Sequence, residues 1–152
     1  MKCFLATRVV SRIFLTIALL PGVAANTVVA QAAGAQEMRA HIPFAFSVGN
    51  ASLPAGEYRV AILNPHSDRK VLRIRSKDGK RSAVVQTNQL NHEPSDGATL
   101  VFNRYGDKYF FAQARMAGES TTFTALRSSA ERREEEAFAR NGQRVTITIV
   151  AD

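Results

Sequence analysis

The chain has 152 residues, one cysteine, no tryptophan and a formal net charge of +7. One cysteine excludes an internal disulfide framework. Cys pairs, Gly-x-Ser-x-Gly, His-Glu-x-x-His and a glycine-rich loop entering a helix are all missing from the sequence. That removes the usual signatures of thiol redox centres, serine hydrolases, zinc proteases and phosphate-binding loops.

The first 35 residues read as an export signal. Lys2, Arg8 and Arg12 form a basic head, Ile13 to Leu20 an apolar run, and Pro21-Gly22 leads into an Ala-rich exit. Charge, apolar core and small residues in that order suit a secretory signal peptide. Small-x-small sites place cleavage after Ala25, Ala30, Ala32 or Ala35, with the later three favoured because residues 26–33 have no strand or helix pattern. The competing reading is an uncleaved anchor, since residues 13–30 approach the roughly 18–20 needed to span a bilayer. Pro21-Gly22 and the Ala-rich exit favour cleavage. The expected location is therefore periplasmic or extracellular. Removing residues 1–35 discards Cys3 and three basic side chains, leaving 17 basic against 13 acidic, a net of +4. About 117 residues remain, enough for one domain held by its own core.

From residue 41 the period is two. Ile42, Phe44, Phe46 and Val48 alternate with His41, Pro43, Ala45 and Ser47, as in a half-buried strand. Pro43 cannot donate to a ladder, so this strand is placed at an edge or bulged. A turn at Leu53-Pro54-Ala55-Gly56 leads into a second strand with Tyr58, Val60 and Ile62 inward. After the loop at residues 64–68, residues 71–76 form a third strand. Asp78-Gly79 suits a tight hairpin with Lys77 opposite Lys80. That register pairs Ile74 with Ala83 and Leu72 with Val85, and puts Arg73, Arg75 and Ser82 on the other face.

Residues 91–97 read as a loop before a second hairpin. With Gly106-Asp107 at its turn, Phe102 faces Phe111, and Phe110 points away with Val101 and Ala112. An apolar second face needs a cover. The expected cover is a helix at about 129–140, with Ser128 and Glu131 in capping-box spacing, an Ala130, Ala137, Phe138 stripe and an Asn141-Gly142 stop. Its charges fit i,i+4 pairs, Arg132–Glu136 and Glu136–Arg140, on a solvated face. Val145, Ile147 and Ile149 define a last strand. The sum is a mainly β, antiparallel seven-strand sandwich or small barrel with one helix before the final strand.

Two side-chain groups could carry chemistry. In an up-and-down order His41, His66 and His92 would share one rim with Asp68, Glu93, Asp96 and a loop at residues 118–124 holding Glu119. His with carboxylate suits Zn²⁺, but turn chemistry alone also accounts for such loops. Arg69, Lys70, Arg73, Arg75, Lys77, Lys80 and Arg81 make a basic stripe. It can contact an anionic surface, lipid headgroups or an acidic polysaccharide, or simply keep a sheet face soluble. The aromatics of residues 103–111 do not match an RNA-recognition strand, so nucleic acid is not an expected partner. Asn50-Ala51-Ser52 matches a glycosylation acceptor, a short and frequently accidental pattern.

Three stretches, Ile42-Pro43-Phe44-x-Phe46-x-Val48-Gly49, Leu53-Pro54-Ala55-Gly56-x-Tyr58-x-Val60 and Leu100-Val101-Phe102-x-x-Tyr105-Gly106-x-x-Tyr109-Phe110, resemble a group of small exported bacterial proteins of unknown role. The resemblance covers residues 41 to about 136, including the Ser128-x-x-Glu131 helix start. It implies export and a β-rich fold, and brings no catalytic residues. The expectation is thus a non-enzymatic exported β-domain, without cofactor, that binds or supports something in the envelope. The alternatives are a barrel carrying a small apolar ligand and a metal-dependent hydrolase at the histidine rim. A core filled by Phe44, Phe46, Tyr58, Phe102 and Phe111 separates the first alternative from the expectation.

Overall fold

Alternating apolar and polar side chains carry most of the described residues into strands. The computed structural model describes residues 37–94, 96–139 and 144–152. The signal segment, its cleavage sites and the Asn141-Gly142 stop lie outside them. The elements are β1 (Glu37–Ile42), β2 (Phe46–Val48), β3 (Ala51–Leu53), β4 (Gly56–Ile62), β5 (Val71–Ser76), β6 (Ser82–Asn91), β7 (Ala98–Tyr105), β8 (Lys108–Arg115), β9 (Thr121–Ala125), α1 (Ser129–Ala139) and β10 (Val145–Ala151). The fold is mainly β with one helix before the last strand, as expected. The strand count is ten instead of seven.

The difference arises at three places, one of them the short β3, which precedes the expected turn at Leu53-Pro54-Ala55-Gly56. Residues 42–48 do not form one strand: β1 ends at Ile42, and the chain passes Pro43 before β2 begins at Phe46. β1 pairs with β4, whereas β2 pairs with β3 and, in parallel, with β8. Proline ends the first ladder because it has no amide hydrogen to offer. Residues 121–125, expected within a loop, form β9 between β6 and β8. Only Phe123 in that strand is large and apolar, so its periodicity is faint.

One path of strands runs β1-β4-β5-β6-β9-β8. β6 changes partner midway: residues 82–86 pair with β5, and residues 87–91 with β9. Beyond β9, β8 carries β7, which carries β10. Call the β1-β4-β5-β6 part the first layer and the part from β9 to β10 the second. The sheet does not close. Its two ends meet at a single reciprocal backbone pair, Arg39 N to Asp152 O at 2.7 Å and Asp152 N to Arg39 O at 2.8 Å.

Inner faces of both layers meet in one core. Ile42, Tyr58, Val60, Leu72 and Ile74 come from the first layer, and Val48, Leu100 and Phe102 from the second. Each side chain of this size taken fully out of water contributes about 1.5–3 kcal/mol. Aromatic rings meet edge to face in this core: Phe46–Tyr58, with centroids 5.1 Å apart, joins the two layers, and Phe46–Phe102 at 5.3 Å and Phe102–Phe111 at 5.9 Å lie within the second. Phe44 packs on their flank, stacked on Tyr109 at 3.9 Å.

Both hairpin registers hold. Ile74 faces Ala83 and Leu72 faces Val85; Phe102 faces Phe111, beside a register shift at Val101/Phe102. The β5–β6 turn is wider than a two-residue loop, because Ser76 N donates to Arg81 O at 2.9 Å and closes it one pair earlier. Phe110 and Tyr105 are buried on the outer side of the second layer. α1 covers them through Phe138, whose ring lies 6.3 Å from that of Tyr105.

The helix start is half of a capping box. Ser128 Oγ accepts from Glu131 N at 3.1 Å. The Glu131 carboxylate turns instead to the sheet, where it accepts from Asn103 Nδ2 at 2.8 Å. It is the buried residue of the helix, whereas Ala137 of the expected stripe is exposed. Among the described residues the helix acids pair off the helix, Glu134 with Lys108 and Glu135 with Arg127 and Arg144, and no Arg132–Glu136 pair forms. Arg140 of the expected Glu136–Arg140 pair lies outside the described residues.

Candidate functional site

Strand alternation that buries Tyr58 and Val60 sends Glu57 and Arg59 outward, and the same parity holds across the first layer. Antiparallel pairing then aligns Arg39 with Arg59 and Arg59 with Arg75. Three arginines thus stand directly opposite one another on adjacent strands, across about 10 Å. Arg73 follows two residues along β5, opposite the exposed Val84 of β6. Like charges placed directly opposite destabilise a sheet.

Counter-charge is sparse on this face. Glu37 lies 3.6 Å from Arg59, and Glu57 lies 2.5 Å from Lys77. Among the described residues no ion pair forms at Arg39, Arg73, Arg75, Lys80 or Arg81. The Lys77 ammonium, by hydrogen bond and charge, holds the Glu57 carboxyl below its ordinary value. Asp78 is likewise held low, by hydrogen bonds from Ser76 Oγ and Lys80 N, and is spent on shaping its turn.

Two open clefts border the arginine row. One, of about 750 Å³, lies between the Pro54–Tyr58 stretch and the β5–β6 turn with Lys80 and Arg81 on its wall. The other, of about 310 Å³, is lined by Arg39, His41, Arg59 and Lys77. Tyr58 underlies both; its hydroxyl donates to Pro54 O at 2.6 Å, and burial pushes its ionisation up.

The basic stripe divides in this arrangement. Arg73 and Arg75 lie on the outer face, and Lys77, Lys80 and Arg81 continue it into the turn. Arg69 and Lys70 sit in the loop at the other end of β5, where the Lys70 ammonium is turned onto Pro65 O. Arg39 and Arg59, outside the stripe, complete the row. Their alternation with Ala40, Tyr58 and Val60 was the available signal, but only the β1–β4–β5 order brings them to Arg75.

The three histidines do not share a rim. His41 is opposite Glu57, at the start of β4, whereas His66 and Asp68 lie in the loop after its end. Seven residues of strand separate those ends by about 20 Å. The cause is the break at Pro43: His41 stands near the end of its strand and not at its beginning. His92 follows β6, where its amide donates to Ser120 O at 2.7 Å and its ring meets Glu93 O. The Asp68 carbonyl accepts from Gln89 Nε2 at 2.8 Å, and Glu93 and Asp96 are exposed. Among the described residues no group of three His, Cys, Asp or Glu side chains is placed to hold a metal ion. Nor is any described helix long and apolar enough to cross a membrane.

These features define a mainly β domain whose most distinctive surface is a cationic sheet face. Comparison with protein-family models, curated proteins and solved structures returns no match.

Proposed function

We propose that this is an exported, non-enzymatic β-domain that docks on an anionic envelope surface through the outer face of its first layer. The observation that carries the reading is the Arg39–Arg59–Arg75 row. Aligned like charges cost stability in the free protein, and a layer of phosphate headgroups relieves that repulsion on contact. Arginine suits the role, since its planar fork grips phosphate with paired hydrogen bonds. A sheet face also meets a surface better than a narrow ligand, and exposed Val84 beside Arg73 supplies an apolar contact within it.

The carrier alternative has less support. The space between the layers is occupied by Phe46, Tyr58, Phe102 and Phe111, and the clefts described above open at the surface.

Sedimentation with vesicles tests the proposal. The purified protein is expected to pellet with phosphatidylglycerol-containing vesicles and to stay in solution with phosphatidylcholine alone. Equal behaviour with both, or binding to a soluble polyuronate but to neither vesicle, would overturn it.

A further inference from the structure

A second cleft of different character lies under the start of α1, on the outer face of the second layer. It measures about 200 Å³ and is lined by residues of β7, β8, β9, α1 and β10 together with Arg127 and Arg144. Asn103 from β7, Gln113 from β8 and Thr124 from β9 are polar groups of its lining, beside the apolar Val101, Ala112 and Ala125. The Thr124 hydroxyl oxygen is buried and has no hydrogen-bond partner among the described residues.

Charge in this cleft is separated. Glu131 is 4% exposed, yet its one described side-chain partner is the neutral Asn103 amide. Arg127 and Arg144 line the same cleft, but their guanidinium groups pair with Glu135, at 2.7 and 3.5 Å. A buried carboxylate ordinarily takes a cation when two are near, because desolvation makes an unpaired charge costly. Here the fold keeps them apart, and Glu135 leaves each arginine with further N–H donors.

We propose that the cleft binds a small zwitterion of α-amino-acid type. Its ammonium pairs with Glu131, its carboxylate spans toward Arg127 and Arg144, and its remaining polar atoms meet Gln113 and Thr124. One ligand then gives the buried Glu131 carboxylate the cation it lacks among the described residues, while its carboxylate takes the N–H donors that Glu135 leaves on the two arginines. The site is built by α1 and the second layer, so it stands independently of the arginine row on the first.

The test is calorimetric titration of the full protein, purified from an exporting host, with each of the twenty free L-α-amino acids. At least one is expected to bind saturably, with acetate and ethylammonium each about thirtyfold weaker or worse, since acetate leaves the buried Glu131 carboxylate without a cation and ethylammonium forgoes the arginine contacts. Glu131→Gln keeps the acceptor for Asn103 and is expected to lose the same factor at an unchanged melting temperature. If that variant does not fold, Arg144→Ala at an exposed position carries the same expectation. Failure of every amino acid to saturate, or full affinity in the folded variant, would overturn the assignment.

Discussion

Asp78 has two partners in the β5–β6 turn: Ser76 Oγ donates to it at 2.5 Å, and Lys80 N at 3.0 Å. Both favour the carboxylate, so its folded-state ionisation lies below the ordinary 3.8. A carboxyl of this kind stabilises the fold fully above that value and loses its contribution as pH falls through the folded value. Asp78→Asn is therefore expected to lose less stability than the wild type on acidification below pH 3.8, read from urea midpoints across pH. Gly79 beside it has φ +74°, where a side chain is strained, and an added Cβ would fall 2.7 Å from the Arg75 Nη2 atom. The arginine tip can swing aside, so the backbone sets the cost. Gly79→Ala is expected to lose about 1–2 kcal/mol in the same measurement.

At the scale of elements, the outer aromatics and α1 depend on each other. Phe110 and Tyr105 point away from the core, and the half-buried Phe138 packs on Tyr105. Phe138→Ala is expected to cost about 1–2 kcal/mol, against about 3–5 kcal/mol for Phe102→Ala in the sealed core, by equilibrium denaturation. An equal loss in both would mean that the helix is a full member of the core. This relation was legible in the sequence, because Phe110 and Phe111 are adjacent and must face opposite sides. The hairpin registers were legible for a similar reason: turn residues and period-two patterns specified the same pairs. What was not legible depends on distant partners. The run from Ile42 to Val48 alternates as one strand, but Pro43 lets the chain leave one ladder and join another. β9 holds one large apolar residue, so its place between β6 and β8 rests on tertiary pairing alone.

At the scale of the molecule, the same non-local order makes the cationic face. Arg73, Arg75 and the turn cations are contiguous in sequence and were found there. Arg39 and Arg59 join them only because β4 lies between β1 and β5. His41 stands apart from His66 for a different reason: the break at Pro43 puts it at the end of β1, opposite Glu57 and a strand's length from the loop after β4. If the arginine row is held for binding, removing one of its charges costs the fold nothing. Arg75→Gln is expected to leave stability unchanged or raise it by about 0.2–1 kcal/mol, read from the thermal midpoint at low salt. Affinity for anionic vesicles as a function of salt, for the wild type beside the Arg39→Gln, Arg59→Gln, Arg75→Gln triple variant, addresses the row directly. At about 1 kcal/mol per cation near an anionic surface, the triple variant is expected to bind about a hundredfold more weakly at low salt. Wild-type binding should fall toward the variant's as salt rises. Equal binding by the two proteins, or wild-type binding indifferent to salt, would contradict the account.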